Sequence, residues 1–535
     1  MTSSLFGFYT SQRSLLVNQA AINIVSNNIT NINTTGYSKQ RLELSQQTLL
    51  TTDCNDPLIA SQSGIGSVID TISRNRDVYI DSSYRTANSN YAYSTELYDN
   101  VSLIEDITNG LSDTGLTAAL TEFYTAAQDL NNDPSNTVVR TCFLQRALDV
   151  ATNFNQAASQ LTTIRTNLIG DVDDPNTLNV SKINLDCNDL NNKLKAVADL
   201  NKTISLATSQ GTAPNSLLDE RDNLLDEISE YIPITVTGGS NNSISISMNG
   251  TNLVTDSQQV GYFKYELKDT SVDGDWDTNP PVVKIQDVNG RDILKDASSK
   301  ITSGKIGAIL DVTSSDENKP TINNTLDNLN TLANEFASQI NAIQTYSETD
   351  DPAAGSTTKA MCIDNTGSTP VLKEATENIF LNNDTGTNSN ITAENITINN
   401  ALISDPTKIA TARITYTTAS GPSSTDLAGT GNGNNSLLIV QLESKSLANL
   451  NNLTTEEYLN SVSSNFGVQV KSVESNLDSN DAILQQISTK RESTSGVNLD
   501  EEYTDLIKYQ RSYEASAKIF DVMDKVLQTI IALGS

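Results

Sequence analysis

Two apolar stripes at opposite ends of a 535-residue chain constrain what can lie between them. At the C-terminal end Leu499, Leu506, Tyr513, Phe520 and Leu527 recur every seven residues. Tyr503, Tyr509, Ala517, Met523 and Ile530 follow them by three or four. That spacing buries one face of a helix against a partner helix. Residues 499–533 contain no Pro or Gly, Asn498 is placed to cap, and Asp500, Glu501 and Glu502 suit the positive end of the dipole. At the N-terminal end Leu5, Phe8, Leu15, Ile22, Val25, Ile29 and Ile32 make a second stripe, which Thr34-Thr35-Gly36-Tyr37 ends. Periodicity leaves two arrangements open. Each helix could pack separately on the body, or the two ends could pair with each other or with neighbouring subunits.

A chain this long exceeds one core, so two to four domains are expected. The net charge of −31 leaves no basic surface for nucleic acid and disfavours an anionic membrane. No apolar run is long enough to span a bilayer. Residues 1–25 lack a basic start and a continuous apolar stretch, so no cleavable signal peptide is expected. Cys54, Cys142, Cys187 and Cys362 are scattered, which predicts free thiols, neither a metal motif nor a disulfide framework.

Between the stripes the chain goes out through helices and returns. Residues 37–50 read as extended and 53–68 as a connection. Helical spacing covers 72–107, 116–130, 138–169 and 178–208, then a helix opening at Leu217 and ended by Pro233. The period then drops to two at Ile244, Ile246 and Met248, with Asn249-Gly250 as a hairpin turn. A helix resumes over 320–346. A polar stretch, 347–435, suggests a surface β unit whose Gly429–Asn435 tail is a flexible connector. Helices return over 436–450, at Thr454-Thr455-Glu456-Glu457 as a capping signal, and over 468–493.

Catalytic chemistry is scarce. The chain has no histidine, which removes the commonest general base and most zinc sites. Asp273-Gly274-Asp275-Trp276-Asp277 starts like a calcium loop, but Thr278 and Lys284 stand where Gly and Glu are needed. The Gly429–Gly433 cluster lacks the flanking strand, helix and Lys of a phosphate loop. Asp219/Glu220 and Glu501/Glu502 read as solvated helix carboxylates. No catalytic residue, cofactor or metal is expected.

The residues at both ends carry a resemblance. Asn27-Asn28-Ile29-Thr30-Asn31-Ile32-Asn33-Thr34-Thr35-Gly36-Tyr37 resembles the N-terminal motif of the axial proteins of the bacterial flagellum. Ser495–Glu502, running into Gln510-Arg511-Ser512-Tyr513-Glu514-Ala515, resembles the matching C-terminal motif. Within that family the helical middle, with Leu217–Leu225 leading into Glu227–Ile232, is similar to the hook-associated members; the hook protein itself is mostly β-sheet in its middle. The resemblance implies an α+β multidomain fold. Long terminal helices (1–52 and 490–535) would pair as a coiled coil around a helical domain (53–231, 301–346 and 436–489), with β-rich insertions at 232–300 and 347–435. It implies a structural subunit between hook and filament, exported uncleaved to the cell exterior. Its partners would be the hook protein, a second junction protein, identical copies in a ring, and an export chaperone on the C-terminal helix. The assembly interface would then use Leu15, Ile22, Ile29, Leu499, Leu506, Tyr513, Phe520 and Leu527. The motif residues Asn27, Asn28, Asn31, Thr35, Gly36, Tyr37, Gln510, Tyr513 and Ala515 would serve the same ends. A filament-associated adhesin with exposed β units, or the hook protein itself, are the alternatives.

Overall fold

The chain is nested: its two ends pair, and the next segments inward pair as well. A computed structural model describes residues 2–48, 64–113, 115–171, 174–267, 281–316, 319–351, 356–367, 369–417 and 421–534. Cys54, the start of the 53–68 connection and the Asp273–Asp277 loop lie outside the described residues, as do the side chains of Leu5 and Ile530. Helix α1 (Thr2–Thr30) leads into an antiparallel hairpin, β1 (Gln40–Thr48) and β2 (Gly64–Arg74). The expected helix over 72–107 therefore starts late: Ile72–Arg74 pair with Gln40–Leu42, and α2 runs Val78–Asp113.

The body follows as α3 (Leu116–Asn132), α4 (Thr137–Ile169), α5 (Pro175–Val180), α6 (Lys182–Ser209) and α7 (Asn215–Tyr231). Asn136 caps α4 through the Val138 N–H, and Gly170 ends it at positive φ. The β stretch forms two small antiparallel sheets. One holds β3 (Thr235–Gly238), β4 (Ile244–Met248), β5 (Thr251–Thr255) and β6 (Gln258–Gln259). The other holds β7 (Tyr262–Leu267), β8 (Pro281–Gln286) and β9 (Asp292–Leu294). Asn249 and Gly250 both take positive φ between β4 and β5, as the hairpin turn requires.

Helices α8 (Gly304–Val312) and α9 (Ile322–Gln344) return to the body. An outer sheet then builds on β11 (Ser356–Asp364), flanked by β10 (Ser347–Asp351), β12 (Val371–Glu374) and, later in the chain, β15 (Ala412–Thr417). Between them lie β13 (Phe380–Asn382), β14 (Ile396–Ile398) and α10 (Asn400–Ser404). Helices α11 (Ser424–Leu427) and α12 (Asn434–Leu442) precede α13 (Thr455–Ser495) and α14 (Leu499–Gly534). The Thr454/Glu457 capping box starts α13, which runs unbroken where two helices were expected.

One continuous core unites helices and β insertions. Phe123, Phe143, Phe336 and Phe380 stack with centroids 5.1–6.5 Å apart, and Phe380 comes from the stretch expected to be an outer unit. Ile379, Ile391, Ile396, Ile398, Leu402 and Ile409 join it, so residues 379–409 pack with the helices. Ile246, Met248, Leu253, Phe263 and Ile285 of the first β stretch share the same core. The outer sheet keeps two separate small clusters among the described residues, Met361, Ile363, Leu372, Ala412 and Ile414 on one face and Ala360 and Cys362 with Ala375 and Ala410 on the other. The Gly429–Asn435 segment is not the flexible connector expected. Asn434 begins α12, and the buried Asn435 amide donates to the Ile343 and Ala410 carbonyls.

Candidate assembly site

The terminal helices lie antiparallel. Phe8 meets Phe520 with ring centroids 4.4 Å apart, Ser14 Oγ lies 2.7 Å from Ser516 Oγ, and Asn28 reaches Glu502 at 3.0 Å. One helix inward, α2 and α13 run antiparallel too, through Asn480 to Ser94 and Ser463 to Asn109. Of the two arrangements left open by periodicity, the chain adopts the one in which its ends pair.

The seam keeps Phe8 and Val25 of the expected stripe and is otherwise shifted from it by one position. Val17, Ala21 and Ile24 are buried, and with Ser14 and Asn28 they keep a four–three spacing. Leu15, Ile22 and Ile29 flank that seam and are half-buried. Small and polar members (Ser14, Ala21, Asn28) hide the frame from a search for large apolar residues. On α14, Leu506, Phe520 and Leu527 are half-buried on the seam side, with Glu502 and Ser516 buried among them. Leu499 and Tyr513 are exposed. So are Tyr503, Ile507, Ile519, Val522 and Val526, which at 100° per residue spread over about 160° of the α14 surface outside the seam. The motif residues Gln510 and Ala515 are also exposed.

The N-terminal motif is built around one side chain. Asn28, 1% exposed, donates to Glu502 (3.0 Å) and to the Gln40 carbonyl (2.9 Å). Its oxygen accepts from the Tyr37 hydroxyl (2.8 Å) and the Gln40 N–H (3.0 Å). All four hydrogen-bonding positions of the amide are thus used. Burial, with Asp219 and Glu502 nearby, pushes the Tyr37 phenol up to about 12, so it donates at any physiological pH. Lys39 bridges Glu501 (2.9 Å) and Glu502 (3.0 Å), and its N–H donates to the Ser495 carbonyl. Glu502, read from sequence as solvated, is 1% exposed because the two motifs close on it. Gly36 turns at φ +78°, and a Cβ there would fall 1.8 Å from the Asn223 side chain of α7. Asn27 and Asn31 bond within their own helix turn, and Thr35 is exposed.

Below this turn lies a buried ionic node that sequence reading missed. Asp219, Asp222 and Asp226 project from α7 at helical spacing. Arg74 pairs with Asp219 and Asp222, Arg76 with Asp81, and Arg85 with Asp222 and Asp226. Arg491 of α13 pairs with Asp81 and Asp226 and stacks on Tyr84. Ser38 donates to Asp219 at 2.7 Å, which ties the terminal motif into the node. Burial alone would push the Asp222 carboxyl up, yet Arg76, Arg74 and Arg85 together hold it below its ordinary value. For Asp226 burial wins over Arg85 and Arg491, and the carboxyl is pushed up. Asp219 is thus a linchpin where a solvated carboxylate was expected. The i, i+3, i+7 repeat of Asp was hidden in sequence among Glu220, Glu227 and Glu230 of the same polar helix.

Three family models match parts of the chain. Residues 101–356 match the "Flagellar hook-associated protein FlgK helical domain", residues 8–37 the "Flagella basal body rod protein" family, and residues 489–533 the "Flagellar basal body rod FlgEFG protein C-terminal" family. "Flagellar hook-associated protein 1" of Bacillus subtilis is 25% identical over 99% of this chain and 98% of its own length. The chain belongs to the flagellar hook-associated protein 1 family. Its relatives in that family include the Escherichia coli protein (24% identical, 96% of this chain, 97% of that one) and the Salmonella typhimurium protein (23%, 96% and 97%). The fold is shared with "the flagellar hook junction protein FlgK from Burkholderia pseudomallei", at a TM-score of 0.54, 14% identity, and coverage of 77% of this chain and 100% of that one. As a hook-associated family member the chain is a structural component of the flagellum. The buried Asn28 and Glu502 lie in the two terminal matches, and the Asp219–Asp226 repeat lies in the hook-associated match.

Proposed function

We propose that this subunit joins hook to filament by polymerising through the outer face of its paired termini. The observation that carries the reading is the two-sidedness of α14. One side is closed by α1, while Tyr503, Ile507, Ile519, Val522 and Val526 remain exposed outside that seam. Such a surface on a long helix wants a partner. In a ring of identical subunits, neighbouring copies cover it, with the hook protein below and a second junction protein above. The body and outer sheet then face outward, and the chain acts without cofactor or catalysis. In the cytoplasm before export, an export chaperone covers the same C-terminal helix; truncation after Gly496 should abolish its co-purification.

Electron microscopy of cells lacking the gene tests the role. Hooks without filaments, with filament subunits in the medium, are expected. Complementation with the wild-type gene restores filaments, and the Ile519→Asp/Val522→Asp double variant does not, although both side chains are exposed in the single chain. Restoration of filaments by that double variant sinks the reading.

A further inference from the structure

A cleft of about 200 Å³ opens beside the ionic node, between the start of α2, α7 and the β3–β4 sheet. Its walls are of two kinds. Four guanidinium groups line it, those of Arg74, Arg76, Arg85 and Arg221, against two carboxylates, Asp81 and Asp222. The remainder is largely apolar, including Val78, Leu225, Ile234, Val236 and Ile244.

The charges do not balance. Arg74, Arg76, Arg85 and Arg491 are all ion-paired, and they use all four carboxylates of the node, Asp81, Asp219, Asp222 and Asp226. Arg221 makes no ion pair among the described residues. It is 6% exposed, and one terminal nitrogen donates to Asn201 Oδ1 (3.0 Å) and the Asn242 carbonyl (2.6 Å). Its Nε is buried with no hydrogen-bond partner among the described residues. Burial lowers its pKa to about 10; Asp222, already paired with Arg74 and Arg85, attracts it without contact, and Arg74 and Arg85 repel it. A buried cation left with only neutral acceptors, beside two like charges, is a costly arrangement in a protein of net charge −31.

We infer that this cleft is a binding site for a single carboxylate on a short apolar stem, received by Arg221. The surplus is one positive charge, which matches a monoanion; Asp81 and Asp222 in the wall would repel a phosphate dianion. A guanidinium edge presents paired N–H groups to a carboxylate, and the aliphatic wall takes the stem. The carboxylate could belong to a free organic acid or to an Asp or Glu side chain of a neighbouring copy. The chemistry is the same.

Sodium butyrate is the probe, added to the full-length subunit and compared with chloride at equal ionic strength, with phosphate and with neutral butyramide. Saturable one-site binding of butyrate is expected, and at tenfold excess over Kd a rise in Tm of about 1–3 °C. Butyramide and phosphate should give neither. Arg221→Gln should abolish the effect. Val78→Glu provides a second variant should Arg221→Gln not fold, because Val78 sits on the rim at 80% exposure and can swing a tethered carboxylate into the cleft. It should block butyrate binding and raise Tm by itself. Butyrate acting no differently from chloride overturns the inference, as does either folded variant binding it like the wild type. The two sources are separated in cells, on the junction reading. Filaments attached normally to Arg221→Gln hooks assign the site to a free acid. Loss of attachment with normal secretion assigns it to a neighbour's side chain. The binding assay stands whichever way that reading falls.

Discussion

Asn28 and Glu502, 474 residues apart in sequence, share a buried 3.0 Å hydrogen bond that closes the N-terminal motif onto the C-terminal one. Neither residue has an alternative partner in water, since both are 1% exposed. Replacing Asn28 by Ala would leave the Gln40 N–H, the Gln40 carbonyl and one side of a carboxylate without that amide. Each buried orphan costs about 1–3 kcal/mol, and Lys39 remains to hold Glu502. Hydrogen-exchange mass spectrometry should show protection of residues 2–30 falling by about tenfold or more, with α4 unchanged. Equal protection of residues 2–30 in variant and wild type would contradict the anchoring role.

Arg140 offers a second test, at the seam between body and β insertion. It is fully buried and makes no ion pair among the described residues; it donates to the carbonyls of Pro134, Pro406, Thr407 and Ile409 and to the Thr411 hydroxyl. Arg140→Met removes every donor at once while keeping much of the volume. A loss of about 3–5 kcal/mol is expected, with early proteolytic cleavage within 400–411. Arg140→Lys should rescue only part, because one ammonium has three donors without the planar fork. A Met variant with wild-type Tm would show that these contacts contribute nothing.

What was legible in the sequence divides along physical lines. Apolar periodicity found α3, α4, α7 and α9 nearly to the residue, because each buries a continuous face. Turn chemistry at Asn249-Gly250 and the Thr454/Glu457 box were read correctly for the same local reason. The seam of α1 was placed one position away, since Ser14, Ala21 and Asn28 carry it without bulk. The node and the buried Glu502 were invisible because burial of Asp219 depends on Arg74 and that of Glu502 on Lys39 and Asn28, all from distant segments. The packing of residues 379–409 against the helices was equally hidden: their composition is polar, and a few residues such as Phe380 reach the shared core.

A third test uses pH. Burial pushes the Asp186 carboxyl up to about 6, with Glu96 and Asp189 adding to the rise and Lys182 and Lys305 opposing it. One of its oxygens is buried without a hydrogen-bond partner among the described residues. The native state therefore binds this proton more tightly than the unfolded chain. Asp186's favourable contribution is complete below about pH 4 and is lost as pH rises through about 6. A shift of about two units corresponds to roughly 3 kcal/mol at most. Asp186→Asn should accordingly be more stable than wild type at pH 7 and about equal at pH 4, as read by urea denaturation. The same stability difference at both pH values would refute the assignment.

The last test separates what α14 does within a subunit from what it does between subunits. Phe520 stacks on Phe8 but is only half-buried in the single chain, so Phe520→Ala should cost the isolated subunit about 1–2 kcal/mol. If neighbours complete its burial, the cost in the assembled ring rises to about 3–5 kcal/mol and recurs in every copy. The variant should thus be secreted with its body folded, yet fail to hold a filament. The outer sheet provides the control. Excising 347–435 would strip Phe380 and Ile409 from the main core and unfold the body, so a surface change is required instead. Val371→Asp on β12 alters an exposed side chain far in sequence from the termini. Swimming assays of the two variants give opposite expectations: Val371→Asp motile, Phe520→Ala not. The reverse pattern would move the binding activity to the outer sheet and leave the paired termini without the role argued for them.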